Sequence, residues 1–257
     1  MKQCWVVQLG LIGYQAAYEL QRRLVAARKA GSVPNILLLC EHPHVITLGR
    51  NGKPEHLRAS ARLLKQMNVE FHSTDRGGDI TYHGPGQLVG YPILDLSEIR
   101  RDVAWYMRSL EECMIRATAD LGIVSKRIPG LTGVWVDQPS TAPEKLAAIG
   151  VHLSRWVTSH GFAYNISTDL RYFDLIVPCG IPDKRATSLE RLLAKSMPRE
   201  EVESRIAGHF SEVFSLAMQP VLRARLESAL RAHEEAIAAA DESAEISNSS
   251  GKWVEVG

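Results

Sequence analysis

Residues 76–91 read RGGDITYHGPGQLVGY, and the interpretation of the whole chain starts from this stretch. Two strand patterns, DITYH at 79–83 and QLVGYPILDL at 87–96, flank the turn residues GPG. Glycine provides backbone that can bend sharply or come close to another group. Composition alone leaves two interpretations open. The stretch is either a plain hairpin with glycine turns, or a binding site in which backbone N–H groups, His83 and Arg76 line one cavity.

Outward from this stretch, the chain alternates groups of short strands with helices. Further strands are predicted at 4–9, 35–41, 44–49, 69–73, 133–136, 146–153 and 160–166. Helices are predicted at 14–30, 60–67, 102–121, 187–195 and 199–217. Strands in clusters with helices between the clusters predict an α+β fold with a mixed β-sheet flanked by helices.

A capping pattern and the composition of the last residues bear on the second half of the chain. Thr187 and Glu190 have the spacing of a capping box, which predicts a helix that starts at Thr187. We assign residues 1–220 to the main domain and 221–257 to a C-terminal extension. In that extension, 221–240 is expected to be helical and the polar remainder to form a poorly ordered tail.

Composition excludes several classes of protein. The 257 residues carry 30 Lys and Arg against 29 Asp and Glu, a net charge of +1, which argues against nucleic-acid coating or polybasic membrane binding. The longest apolar run, ILLLC at 36–40, is far shorter than the roughly 20 residues of a membrane span. The first ten residues have neither the pattern of a secretory signal nor that of a transit peptide. The sequence therefore predicts a cytoplasmic protein.

The glycines and histidines do not form a familiar phosphate or metal motif. The stretch contains no GxxxxGK[ST], and its glycines do not follow GxGxxG. His42, His44, His72 and His83 could in principle bind a metal, but no HxxxH helix or carboxylate pattern accompanies them. We expect no metal.

The four cysteines differ in their surroundings. None belongs to a CxxC pair, so neither a zinc knuckle nor a disulfide framework is indicated. Cys4, Cys40 and Cys113 lie in apolar patterns and are expected to be buried and inert. Cys179 stands in IVPCGIPDK, where the prolines and glycine prevent a regular helix or sheet ladder.

The sequence resembles a known family in several of its motifs. RGGDITYHGPGQLVGY is similar to the signature of the lipoyl(octanoyl) transferases, which move an octanoyl group from acyl carrier protein to lipoyl domains. The family's other motifs are matched in the same order by EHPHVITLGR at 41–50, GVWV at 133–136, KLAAIGVHLSRWVTSHGFAYNI at 145–166, PCGI at 178–181 and ATSL at 186–189. An ordered set of motifs is far more specific than one glycine cluster. The resemblance implies the α+β, single-domain fold of the biotin and lipoate protein ligases.

The resemblance also implies site residues and partners. Cys179 would be the acyl-carrying nucleophile and Lys145 its catalytic partner. The substrate site would comprise Arg76, Gly77, Gly78, Asp79, Ile80, Thr81, Tyr82, His83, Ala148, Ile149, Gly150, Gly161, Phe162 and Ala163. No metal or other cofactor is implied. The donor would be octanoyl-acyl carrier protein, and the acceptors would be lipoyl domains of 2-oxoacid dehydrogenase E2 subunits and the glycine cleavage H protein, with no nucleic acid or membrane involved.

Physical chemistry supports this pair of residues. A free thiol has a pKa of about 8.5, and a neighbouring ammonium lowers it. A decrease of ~1.5 units needs about 2 kcal/mol, less than the roughly 4 kcal/mol between unit charges 4 Å apart at an effective dielectric constant near 20. We therefore predict a ping-pong reaction through a Cys179 thioester, with backbone N–H groups holding the oxyanion and Lys145 moving protons. His83 would shape or polarise the site without being the base, and Arg76 would fix its loop.

Two alternatives remain at the sequence level. An ATP-dependent lipoate or biotin ligase would need a nucleotide-binding lysine motif, which the sequence lacks, and has no use for a nucleophilic cysteine. A non-catalytic acyl-carrier binding module would tolerate loss of Cys179. One departure from the family is DQPSTAPE at 137–144, which is predicted to form a longer loop before Lys145 than the family usually has.

Overall fold

The computed structural model describes residues 1–138, 141–177 and 185–250, with all their side chains except those of residues 141 and 243–250. The strands are β1 (Lys2–Leu11), β2 (Asn35–Glu41), β3 (Val45–Leu48), β4 (Glu70–Ser73), β5 (Ile80–His83), β6 (Gln87–Ile93), β7 (Lys126–Ile128), β8 (Leu131–Gln138), β9 (Thr141–Ser154), β10 (Val157–Asn165) and β11 (Leu216–Pro220). The helices are α1 (Tyr14–Lys29), α2 (Ala61–Gln66), α3 (Val103–Ala119), α4 (Leu189–Leu193), α5 (Arg199–Phe214) and α6 (Arg223–Ser250).

These strands form two sheets. The large sheet has the order β11-β1-β2-β6-β10-β9-β8-β7, and the small sheet has the order β4-β3-β5. Strand β1 pairs in parallel with β2 and β11, whereas β2, β6, β10, β9, β8 and β7 pair antiparallel in turn. The α+β fold with a mixed sheet flanked by helices is therefore confirmed.

Helices cover both faces of the large sheet. On one face, α3 and α5 pack through residues such as Tyr106 and Phe210. On the other face, α1 and α6 pack through residues such as Leu24 and Leu230. The small sheet has a core of its own, in which Tyr82 is fully buried. The alternation of side chains along each strand divides the apolar residues between these layers.

The start of α4 differs from the predicted capping box. Ser188, not Thr187, caps the helix, since its side-chain oxygen accepts a hydrogen bond from the N–H of Arg191. The N–H of Thr187 donates to the carbonyl of Lys145, and its own carbonyl accepts a bond from Asn165. Because both the N–H and the carbonyl of Thr187 are bonded to residues outside the helix, the helix begins only after Thr187.

Of residues 137–144, where the sequence predicted a long loop, the structure describes 137–138 and 141–144, and both pieces lie in strands. Strand β8 continues to Gln138 and β9 begins at Thr141, with Gln138 paired to Thr141 and Val136 paired to Glu144. The ladder between the two strands has register shifts between Val134 and Trp135 and between Val136 and Gln138. The lysine at 145 therefore lies on a strand.

The chain also departs from prediction near its C-terminus. The helix predicted to reach 217 ends at Phe214, because Ser215 takes the left-handed conformation at φ 54° and β11 then joins the edge of the large sheet beside β1. Helix α6 extends to Ser250, beyond the predicted end at 240. In the described ranges, no helix is long and apolar enough to cross a membrane.

Candidate active site

A cavity of about 850 Å³ is lined on one side by residues of the 76–79 loop and β5, and on the other by residues of β6, β9 and β10. Thirteen of the fourteen residues predicted for the substrate site line it: Arg76, Gly77, Gly78, Asp79, Ile80, Thr81, His83, Ala148, Ile149, Gly150, Gly161, Phe162 and Ala163. Lys145 lines it as well. Segments far apart in sequence thus meet around one space large enough for an acyl chain.

Tyr82 departs from the prediction. Its ring lies in the core of the small sheet, stacked on Tyr172 with ring centroids 5.0 Å apart, and its hydroxyl is 2.8 Å from Nδ1 of His44. Successive side chains of a strand point to opposite faces, so Tyr82 faces away where Thr81 and His83 face the cavity. Its contribution is to the packing of the small sheet.

The glycines of the 76–79 loop let it lie directly on the large sheet. The N–H of Gly77 donates to the carbonyl of Val151 at 2.8 Å. A Cβ added to Gly150 on the facing strand would come within 2.7 Å of the carbonyl oxygen of Gly77. The close approach of two backbones is what requires bare glycine here.

Arg76 holds the same loop from its other side. Its guanidinium, almost fully buried, donates to the hydroxyl and carbonyl of Thr47 at 2.7–3.1 Å and to the carbonyl of Gly77 at 3.1 Å. These contacts fix the loop against β3, the role that the sequence analysis gave to Arg76.

The large sheet contributes a strip of small residues to the cavity. Gly150 pairs with Gly161, and Ala148 pairs with Ala163, so the four positions form two adjacent rows across β9 and β10. Each row lies about 6.6 Å from the next along the strands. The backbone of Gly77 covers the Gly150 position, so the space for a narrow, unbranched apolar group lies beside the small side chains of Ala148 and Ala163, which line the cavity.

His83 is a buried neutral imidazole at the cavity wall. Burial lowers its pKa to about 3, and the neighbouring His42 ring acts in the same direction. The hydrogen bond between its Nδ1 and the side chain of Gln87, at 2.7 Å, opposes this shift only in part. An imidazole of this kind is a weak base at neutral pH, which agrees with the prediction that His83 is not the base.

Lys145 stands at another side of the cavity, on β9. Its backbone N–H donates to the carbonyl of Arg185 at 2.8 Å, and its carbonyl accepts from the N–H of Thr187 at 2.9 Å. Its Nζ lies 4.7 Å from the ring centroid of Trp135, at the distance of a cation–π contact. Strand β9 and residues 185–187 are thus joined where the lysine enters the cavity.

Cys179 lies outside the described residues. The chain before it is held at the cavity, since the N–H of Val177 donates at 2.7 Å to the carbonyl of His56, a cavity-lining residue. The chain after it resumes at Arg185, which also lines the cavity.

The other three cysteines are buried thiols. Burial raises the pKa of Cys4 to about 12 and raises the pKa values of Cys40 and Cys113 as well. A thiol with a raised pKa is a poor nucleophile at neutral pH. None of the three lines the cavity, so none competes with Cys179 for the proposed role.

Sequence reasoning missed several cavity residues, among them Tyr14, Gln87, Tyr91, Trp135 and Asn165. Gln87 and Asn165 are 78 positions apart in sequence and pair only because β6 and β10 are neighbours in the sheet. A buried polar side chain within an otherwise apolar strand is the one signal that could have marked them.

Comparison with known proteins gives consistent results. Residues 13–211 match the family described as lipoyl protein ligase A/B catalytic domain. An octanoyltransferase of Solibacter usitatus is 54% identical over 220 residues, which cover 86% of this chain and 97% of the relative. An octanoyltransferase of Koribacter versatilis is 52% identical over 212 residues, which cover 81% of this chain and 83% of the relative.

Solved structures resemble the chain in fold. A bi-partite lipoate protein ligase from Thermoplasma acidophilum superimposes with a TM-score of 0.70 at 17% identity, covering 90% of this chain and 91% of that one. A lipoate-protein ligase A bound with ATP gives a TM-score of 0.66 at 14% identity, covering 90% and 93%. The fold predicted from the sequence is confirmed by these likenesses.

Proposed function

The chain belongs to the family of lipoyl protein ligase A/B catalytic domains, and within that family we propose that it transfers an octanoyl group from a carrier protein to lysines of lipoyl domains. The observation that carries the proposal is the high identity to octanoyltransferases over most of the chain, 54% in one relative. A cavity lined by small residues and by Lys145 is compatible with this acyltransferase activity.

In the first half-reaction we assign the nucleophile to Cys179. Its thiolate attacks the carbonyl carbon of the octanoyl thioester, and backbone N–H groups of the glycine-rich segments hold the resulting oxyanion. Collapse of the tetrahedral intermediate breaks the bond to the carrier sulfur. The Lys145 ammonium gives its proton to that sulfur, so that the carrier leaves as a thiol and Lys145 is left as a neutral amine.

The second half-reaction uses the neutral Lys145. It takes one proton from the ammonium of the acceptor lysine, and the free amine attacks the Cys179 thioester. The new C–N bond forms, the C–S bond breaks and the thiolate of Cys179 is regenerated, while a second proton from the amine passes to solvent. Cys179 follows Val177 by two residues, and the N–H of Val177 donates to the carbonyl of the cavity-lining His56, which supports this role.

The partners follow from the same proposal. The donor is octanoyl-acyl carrier protein, and the acceptors are lipoyl domains of 2-oxoacid dehydrogenase E2 subunits and the glycine cleavage H protein. We place the reaction in the cytoplasm. The unpaired, buried thiols of Cys4, Cys40 and Cys113 suit a reducing compartment.

The experiment that tests the function is transfer in the absence of nucleotide. The full chain, octanoyl-acyl carrier protein and a lipoyl domain are mixed without ATP, and the mass of the lipoyl domain is measured. We expect an octanoyl amide on its lysine. If the amide forms only from free octanoate with ATP, the chain is a ligase, and if it forms in neither mixture, the chain is a binding module.

A further inference from the structure

A line of hydrogen bonds runs along the cavity wall, from His83 to the strand that carries Lys145. Nδ1 of His83 lies 2.7 Å from Oε1 of Gln87, and Nε2 of Gln87 lies 2.9 Å from Oδ1 of Asn165. Nδ2 of Asn165 donates to the carbonyl of Thr187 at 2.9 Å. The N–H of Thr187 in turn donates to the carbonyl of Lys145.

The direction of every bond in this line is fixed by backbone carbonyls, which can only accept. Asn165 must turn its NH₂ toward the carbonyl of Thr187, so its oxygen faces Gln87. Gln87 donates from the same nitrogen to the carbonyl of Tyr82 at 3.2 Å, so its own oxygen faces His83. An amide oxygen only accepts, and Nδ1 of His83 therefore carries the proton.

The opposite nitrogen of His83 is consequently a lone-pair acceptor. Within the part of the chain that the structure describes, Nε2 of His83 makes no protein hydrogen bond, although the residue lines the cavity. His42 beside it is different, because its Nδ1 bonds the carbonyl of Ile12 and its Nε2 bonds the hydroxyl of Tyr91. His83 thus offers a bound molecule an imidazole acceptor whose orientation is fixed.

The chemistry of the proposed reaction restricts what this acceptor can bind. The oxyanion and the thiolates are electron-rich, and a lone pair repels them. The octanoyl chain has no donor. Among the groups that the two substrates bring into the cavity, the amine of the acceptor lysine carries N–H donors, and a hydrogen bond from one of them would direct the nitrogen lone pair toward the thioester.

We propose that Gln87 and Asn165 are positioning residues that hold His83 as the Nδ1–H tautomer, so that its Nε2 accepts an N–H of the incoming lysine amine during the second half-reaction. This inference rests on the proposed function. The same hydrogen-bonded line ends on the backbone of Lys145, so it also sets the position of the imidazole relative to that residue.

The test separates the two half-reactions. Full-length enzyme is octanoylated with excess octanoyl carrier, the carrier is removed, and a lipoyl domain is added in a single turnover. Gln87→Leu removes the acceptor that fixes His83, and we expect about a tenfold slower transfer to the amine with acyl-enzyme formation changed less than twofold. Asn165→Ala leaves Gln87 bonded to the Tyr82 carbonyl, and a smaller loss is expected.

Asn35→Leu is the matched control for loss of a buried amide. The Asn35 side chain is 1% exposed, accepts bonds from Arg28 and from the N–H of Asp95, and does not line the cavity. We expect it to lower thermal stability while leaving both half-reactions unchanged. If Gln87→Leu slows both half-reactions equally, or neither, the positioning role is overturned while the proposed function stands. If the unsubstituted enzyme forms no acyl-enzyme, both fail.

A second measurement does not depend on whether the Gln87 and Asn165 variants fold. The ¹⁵N imidazole signals of the unsubstituted protein, with those of His83 assigned by their absence in His83→Gln, report which ring nitrogen carries the proton. We expect a protonated Nδ1 and an unprotonated Nε2. A protonated Nε2 would contradict the proposal directly.

Discussion

The two walls of the cavity differ in how they use their polar groups. In the wall formed by residues 76–83, the polar side chains are bonded within the protein, Arg76 to Thr47 and His83 to Gln87. In the wall around Lys145, an amine stands over the ring of Trp135 beside residues 185–187. Under the proposed mechanism, the 76–83 wall holds the geometry of the site and the Lys145 wall supplies its reactive group, so the two contributions should be separable by mutation.

The largest effect is expected at Lys145, and it tests whether that wall is the reactive one. Lys145→Ala should lower the rate of octanoyl transfer by roughly 10²–10⁴-fold, the usual contribution of a group that moves protons. Lys145→Arg keeps a positive charge, but a guanidinium cannot cycle protons at neutral pH, so we expect Cys179 to alkylate readily while transfer to the amine fails. Parent rates of transfer in both variants would remove Lys145 from the mechanism.

The next effect tests whether the other wall is held by close packing. In Gly150→Ala, the new Cβ would meet the carbonyl of Gly77, so the 76–79 loop must move, and we expect a loss of about 1–3 kcal/mol in the free energy of unfolding together with a raised KM. Gly208→Ala is the control, since an added Cβ there meets nothing within 4 Å on α5. Chemical denaturation should show Gly208→Ala unchanged or slightly more stable, and equal losses in the two variants would contradict the account.

A smaller effect is expected from pH, and it tests whether His83 is neutral in its wall. The pKa of His83 is lowered to about 3 by burial, below its ordinary value in the unfolded chain of about 6.5. Between these values the unfolded state binds the extra proton, so stability is complete above pH ~6.5 and falls as the pH decreases toward 3. Urea titrations at several pH values should show a shallower fall in His83→Gln, with a residual slope from His42, whose pKa burial lowers to about 4. An unchanged slope would count against a neutral buried His83.

The smallest effect is expected far from both walls. Helix α6 packs on the large sheet through Leu226 and Leu230, both fully buried, and pairs Glu234 with Arg23. Truncation after residue 240 keeps these contacts, and activity should stay within about twofold of the full chain. Truncation after Leu222 removes them and should lower the melting temperature, because each buried leucine contributes roughly 1.5–3 kcal/mol. A severalfold loss of activity in the first truncation would show that the end of the chain contributes to the reaction.

The comparison also shows which parts of the structure can be predicted from the sequence. Apolar runs rich in β-forming residues predicted strands such as β2 and β10 to within a few residues, since both strands are buried over most of their length. The same reasoning missed β7 and β11, which lie at the two edges of the large sheet and have weak apolar patterns. Short edge strands depend on their neighbour more than on their own sequence.

The candidate site was predictable where a motif carries its own geometry. The glycines of the 76–79 loop and the lysine at 145 were placed at the cavity from motifs alone. Tyr82 was not, because a contiguous motif takes no account of the alternation along β5. The pair of Gln87 and Asn165 depends on the register between β6 and β10, which a single sequence does not specify.

The central claim is a covalent octanoyl group on Cys179 beside Lys145, and one measurement tests it most directly. The full chain is incubated with octanoyl-acyl carrier protein, quenched in acid, digested and analysed by tandem mass spectrometry. The account predicts an octanoyl thioester on Cys179, and no adduct anywhere in Cys179→Ala. An adduct on Cys4, Cys40 or Cys113, or one that persists in Cys179→Ala, would contradict it.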